Sequence, residues 1–291
     1  MKAQFDQDIL SSFYLWFENR LLRTDAKAYS TGVSNDFRYV DFYDLPTSHI
    51  GYQGEFRQLV ADHDVDKASS GFFVNGSFVT GNYDENGGVY TDYSNGRLIF
   101  PSGSGQDLNI SGVYTVKEVN TYISNDDDAQ LILQSDFKDA GASSPYFYGE
   151  TGKLDEDTYF LPACFISAPS SINEEFAFGG EENTQSRIRV MVLSSDNYVL
   201  DSVLSLCRDS VREEMTHVPY GDFPYGFSFS VKDFPYRYDS LIAAQSSPTK
   251  SHIDKVSVSK VVSEELRERL NKNVQIGFVD FDLSTYRFPR L

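Results

Sequence analysis

The chain has 291 residues, 40 % of them hydrophobic and 15 % aromatic, with 23 Phe and 19 Tyr against one Trp. That is enough apolar material for one large core or two moderate ones, and the aromatic weight favours strands, where broad rings pack on a pleated surface. The net charge of −18 argues against binding nucleic acid by phosphate neutralisation and against an anionic membrane surface. Residues 1–150 carry 10 basic and 22 acidic side chains, and residues 151–291 carry 15 and 21, so the first half is the more acidic. No stretch approaches the roughly 18 apolar residues of a spanning helix, so no membrane partner is expected. The first eight residues place acids where a secretory leader would carry positive charge.

In chain order, residues 5–22 read as a helix. Ile9, Phe13, Trp16, Phe17 and Leu21 recur at three- and four-residue spacing and form one apolar stripe. That stripe suits packing on the protein's own core or docking against a neighbouring subunit. Residues 24–70 are polar and Tyr-rich, broken at Leu45-Pro46. From Gly71 short strands become regular: Phe72 to Thr80 pairs around Asn75-Gly76, and Val89 to Phe100 pairs around Asn95-Gly96, a tight-hairpin dipeptide. Asp107 to Ser124 alternates well.

Residues 136–157 are rich in Asp, Gly and Ser and read as a loop or linker. Tyr159 to Ala168 and Arg187 to Val192 follow as apolar strands. Val199, Val203, Leu206 or Cys207, and Val211 then mark a helix over 197–215, with Ser194, Ser195 or Asp196 as its N-cap. Further strands are expected at Phe227–Val231, Ile253–Val262 and Val274–Phe288. In the last, apolar residues switch face, which signals a bulge or a strand buried on both sides. The fold class is α+β: a segment 1–70 with a helix and Tyr-rich extended chain, an antiparallel β-rich section 71–135, a loop 136–157, and an α/β unit 158–291 with one amphipathic helix.

Residues that could carry chemistry are scattered. His49, His63, His217 and His252 lie in different elements without metal-site spacing, and there is no P-loop or nucleophile elbow. Cys164 and Cys207 are too few for a disulfide framework and read as buried thiols. Cys207 and His217 lie too far apart along one element to pair as a nucleophile and base. Asn82 to Gly87 fits the first half of a calcium loop, but it starts with Asn and has Tyr93 where the bidentate Glu belongs, so a turn is the simpler reading. Asp126-Asp127-Asp128 and Glu174-Glu175 are carboxylate clusters of the kind a glycosidase uses, yet 43 acids produce such neighbours by chance. The run from Pro219-Tyr220 to Pro235-Tyr236-Arg237-Tyr238 suits a recognition loop, a packed loop or, the reading favoured here, an inter-subunit contact. No catalytic residue, cofactor or metal is expected, and the chain reads as a non-enzyme.

Five stretches resemble structural proteins of tailed-bacteriophage virions at the neck, where head meets tail. They are Phe73-Val74-Asn75-Gly76, Asp92 to Phe100, Ser111 to Glu118, Phe176 to Gly180, and the 187–192 strand with the 197–215 helix. The order of the C-terminal elements is similar to tail-terminator proteins, while the β-rich section 71–135 departs from the small single-domain terminators. The resemblance implies a homo-oligomeric ring joining the tail tube to the connector, with sheath as a further neighbour, assembled in the host cytoplasm into the virion. It also implies DNA passing nearby without sequence-specific contact, past an acidic wall that repels its backbone. The alternative is a carbohydrate-binding β-module, a tail accessory or glycan-binding protein working through exposed Tyr and Phe.

Overall fold

The computed structural model describes residues 5–23, 26–62, 71–79, 89–124, 128, 131–132, 135–139, 158–177, 179–225, 236–245, 249–261 and 274–288. It opens on helix α1 (Phe5–Leu22), which follows the expected bounds. Its burial is wider than one stripe: Ser11, Ser12, Tyr14, Leu15 and Glu18 are buried along with Ile9, Phe13, Trp16 and Phe17. A helix covered on most sides belongs to the protein's own core, which settles the first of the two readings for this helix.

Seven strands form one sheet: β1 (Tyr29–Val40), β2 (His49–Gln53), β3 (Phe72–Val74), β4 (Ser77–Val79), β5 (Tyr90–Asp92), β6 (Arg97–Pro101) and β7 (Ile110–Lys117), in the order β4-β3-β7-β1-β2-β6-β5. The Tyr-rich segment before residue 70 thus contributes two central strands. Val74 pairs with Ser77 across Asn75 and Gly76, at φ 50° and 81°, the two positive angles that a two-residue hairpin needs. The second hairpin differs from expectation. Asp92 pairs with Arg97, so the loop has four residues, and only Gly96 takes positive φ, at 62°. The Asp92 carboxylate explains it, because it accepts from Ser94 Oγ, the Asn95 backbone and Arg97 Nε and so builds a wider turn.

After Lys117 the chain changes sheets. Strand β8 (Asn120–Ile123) joins a six-stranded sheet with β11 (Ala163–Glu175), β12 (Glu182–Ser194), β13 (Glu214–Thr216), β14 (Lys250–Lys260) and β15 (Gln275–Arg287), in the order β13-β14-β15-β12-β11-β8. A small parallel pair, β9 (Asp136–Asp139) with β10 (Thr158–Leu161), lies between them in sequence, so the expected loop at 136–157 begins with a strand. Neighbouring strands are antiparallel except β8 with β11. The protein is a β-rich α+β fold.

One face of the six-stranded sheet carries Ile188, Val190 and Val192 of β12 and Val279, Phe281 and Leu283 of β15, all buried in the main core. Helix α1 lies against this face: the Phe281 ring meets Phe13 at 4.9 Å and Trp16 at 6.2 Å, both edge-on. Helix α2 (Asn197–Arg208) covers the rest through Leu200, Val203, Leu204 and Cys207, an i, i+3, i+4, i+7 stripe. Asp196 caps it, accepting from the Tyr198 N–H at 2.8 Å. The helix ends at Arg208 rather than 215, because the backbone turns at Asp209 and Val211 is left exposed. A short helix, α3 (Tyr238–Ala243), precedes β14.

The opposite face carries a smaller core that includes Ala163, Phe165, Met191, Leu193 and Ile276. β15 keeps an unbroken register with β12, so its switch of apolar face reflects burial on both sides and not a bulge in that pairing. The expected strands over 159–168 and 187–192 are present and longer, the first divided by Pro162. The strand expected at 227–231 lies outside the described residues.

Candidate functional site

The densest polar cluster centres on Glu18, in the last third of α1 and 1 % exposed. Its Oε1 accepts from Tyr14 OH at 2.7 Å, from Thr121 Oγ1 at 2.8 Å and from Lys117 Nζ, while Oε2 accepts from Tyr225 OH at 2.8 Å and Tyr236 OH at 3.4 Å. Gln58 extends the cluster, its Nε2 donating to Thr121 O and its Oε1 accepting from Thr121 N and Lys117 Nζ. Burial, then the Glu18 charge, pushes the Tyr14, Tyr225 and Tyr236 phenols well up, so all three stay protonated donors.

Chemically this hub is a bolt, not a reaction centre. Both carboxylate oxygens are occupied by protein donors, and the group is sealed from water. What it does is join α1, the seven-stranded sheet through Lys117, β8 through Thr121, and the described ends of the 219–238 run through Tyr225 and Tyr236. These two tyrosines and Tyr238 are buried. Of the run read as an inter-subunit contact, Phe223, Tyr225, Tyr236 and Tyr238 thus pack into the protein's own core, while Pro219, Gly221, Asp222 and Arg237 are exposed; residues 226–235 lie outside the described residues.

No local pattern marks this hub. A Glu with Tyr four residues before it looks like an ordinary helix surface pair, and its remaining partners lie about a hundred and two hundred residues away.

The other singled-out residues do not converge. His217 is buried, with Nε2 2.6 Å from Ser251 Oγ and its ring stacked on Phe5 at 5.6 Å. Burial, with a smaller push from the Arg287 guanidinium, lowers its pKa to about 4. His49 sits beside Ser48, His252 lies 3.6 Å from Glu214, and His63 falls outside the described residues. Among the described residues no group of His, Cys, Asp or Glu could hold a metal ion. Cys164 and Cys207 are buried and unbonded, and burial raises both thiols, Cys207 to about 12, which leaves neither a ready nucleophile. Asp128 pairs with Arg189, and Glu174 and Glu175 project to opposite faces of β11. Asn82 to Gly87 and Asp126-Asp127 lie outside the described residues.

A cleft of about 510 Å³ lies between the first turn of α1 and the far end of the six-stranded sheet. Phe5, Asp6, Ser170, Ser171, Ser186 and Arg287 line it, and Ser186 Oγ is buried with no hydrogen-bond partner. Its one aromatic ring does not offer a sugar-stacking face of the kind the carbohydrate alternative needs, because the Arg287 guanidinium lies 3.7 Å from the Phe5 centroid.

What the surface does present is apolar sheet. On the edge of the seven-stranded sheet, Phe73 and Phe78 pair across the β3–β4 hairpin with rings 5.5 Å apart, and Val113 extends the same face. All three are about half exposed. At the far end of the six-stranded sheet, Phe176 packs on Tyr286 at 4.6 Å beside exposed Ile172 and Phe288. Clustered exposed aromatics of this kind mark contact surfaces. No family model matches the chain, and no curated protein matches it.

Proposed function

We propose that the chain is a structural subunit of a tailed-phage virion, self-associating as a ring at the head–tail junction and joining the tail tube to the connector as a neck or tail-terminator protein. The observation that carries this reading is the exposed apolar display on both sheets, Phe73 with Phe78 and Phe176 with Tyr286, set beside a Glu18 hub that is buried and internally satisfied. Exposed aromatic pairs of this kind are the sort of surface a protein that works by contact presents. The acidic composition suits a component close to passing DNA, since like charge prevents sticking.

Negative-stain electron microscopy with mass measurement, on the purified chain alone and mixed with tail tubes, tests the proposal. Rings, or caps on tube ends, are expected. A chain that stays monomeric, leaves tubes bare and binds glycans on an array overturns it in favour of the carbohydrate-binding module.

A further inference from the structure

The six-stranded sheet leaves two stretches of edge without a neighbouring strand among the described residues, on its opposite sides. β8 covers β11 only from Ala163 to Ile166, so residues 167–175 have β12 on one side alone. β13 covers β14 from Lys250 to His252, the Glu213 and Arg212 backbones reach Ile253, and residues 254–260 have β15 on one side alone. The two stretches are nearly equal in length and are exposed on both faces almost throughout. Each has its irregularity at the start, between Ser167 and Ser170 and between Ile253 and Lys255, and runs regularly beyond it. An unpaired edge of this kind is a template for another strand.

We infer that these two edges are the complementary halves of one head-to-tail contact, with β11 of one copy adding to β14 of the next. This rests on the ring reading above and names the surface that would close the ring. Direction fits: β14, β15, β12 and β11 alternate, so β11 runs antiparallel to β14. Through Arg187 and Asp282, Lys255 is level with Ser170 and not with Glu174, so the two edges lie towards opposite ends of the strands. A copy rotated about an axis tilted to the strands, with an offset of about four residues along them, brings the edges together as an antiparallel pair and keeps both helix layers on one side. A contact between two different surfaces closes a ring when the rotation allows it.

Charge fits as well. The β11 edge ends in Glu174 and Glu175, with Glu181 and Glu182 just across the turn. The matching end of the β14 edge has Lys255, with exposed Arg212 beside it and Asp254 as the opposing charge. Cross-strand partners share a face, and the chain Glu174–Asn183–Tyr286 and Arg187–Asp282–Lys255 places Glu174 and Lys255 on the same one. A register with Glu174 opposite Lys255 sets Ile172 opposite Ser257 and Ser170 opposite Ser259.

The test uses two full-length variants, E174K/E175K and K255E, measured by mass photometry and sedimentation beside the wild type. Each alone is expected to lose self-association by about tenfold or more, since like charges then meet across the contact. Mixed together they are expected to assemble, because each supplies the edge that the other's reversed charge fits. All three positions are exposed; circular dichroism checks the fold, and the neutral pair E174Q/E175Q and K255Q is the second set, expected to weaken assembly to a smaller degree. Variants that oligomerise alone like the wild type overturn the inference while leaving the ring reading intact. A wild type that stays monomeric at its highest soluble concentration also overturns it, and the ring reading is then judged separately by the capping of tail tubes.

Discussion

On the inner face of the six-stranded sheet, Thr184, Ser251 and Thr285 are completely buried, and Ser251 Oγ meets both His217 Nε2 and Thr285 Oγ1. On the outer face of the same strands, Arg187 reaches Asp282 at 2.8 Å and Arg189 reaches Asp280 at 2.7 Å, all four partly open to water. Alternation along β12 and β15 thus sends short hydroxyls one way and long charges the other. The inner groups are few, neutral and irreplaceable in their geometry, because a lost partner would leave a polar atom dry. The outer groups are charged, partly exposed and screened. Strength of interaction here follows the covering α1 and α2 provide, not the formal charge.

The largest expected effect is at the buried hub that α1 carries on that inner side. Glu18→Ala removes the acceptor of four hydroxyls and leaves Lys117 charged and dry, a change expected to cost about 3–5 kcal/mol in urea unfolding. The double variant E18Q/K117M, which removes both charges, should recover a good part of that loss. A loss under about 1 kcal/mol for Glu18→Ala would mean that water reaches Lys117, and the contrast between inner and outer faces would fail there.

His217 sharpens the same comparison through pH. Its folded pKa of about 4 lies below the unfolded value near 6.5, so the folded state holds the ring neutral. Stability from this group is fully present above pH 6.5 and is lost as pH falls towards 4, by about 3 kcal/mol across that window. Denaturation of wild type and His217→Gln at several pH values isolates it from the carboxylates. Parallel curves for the two proteins would show that His217 does not titrate between its two states as described.

Elements set by local pattern were legible in advance. The 5–22 helix follows from its apolar spacing, the N-cap from the cluster Ser194, Ser195 and Asp196, of which Asp196 takes the position, and the Asn75-Gly76 hairpin from its need for two positive φ angles. Asn95-Gly96 misled because the same dipeptide also ends a four-residue loop, and Asp92 chose between them through its side chain. Val211 is apolar and correctly spaced to continue helix α2 towards 215, yet its side chain is exposed. The hub was illegible for a different reason. Glu18, Lys117, Thr121 and Tyr225 are each unremarkable in their own windows, and only the crossing of β7 into β8 between the two sheets brings them to one point.

A smaller effect is expected at Gly277, which faces α2 from near the start of β15. A Cβ there would lie 3.0 Å from both δ-methyls of Leu204 and 3.1 Å from a methyl of Leu200. Gly277→Ala should cost about 1–2 kcal/mol by overpacking, since the leucine tips must give by a few tenths of an ångström. An unchanged midpoint would show that α2 slides to absorb the methyl.

The smallest effect belongs to the outer ladder. Arg187 is about half exposed, and its guanidinium is held in the charged form by the hydrogen bond and charge of Asp282. An exposed pair of this sort gives back most of its Coulomb gain in side-chain entropy and screening. Arg187→Ala should therefore leave the unfolding midpoint where it is, in low salt and in high. A clear drop in low salt that vanishes in high salt would show the ladder acting as a network through Arg189, Asp280 and Asp128. That result would place the outer face closer to the inner one than its exposure suggests, and would give the ion pairs a part in holding β12 against β15.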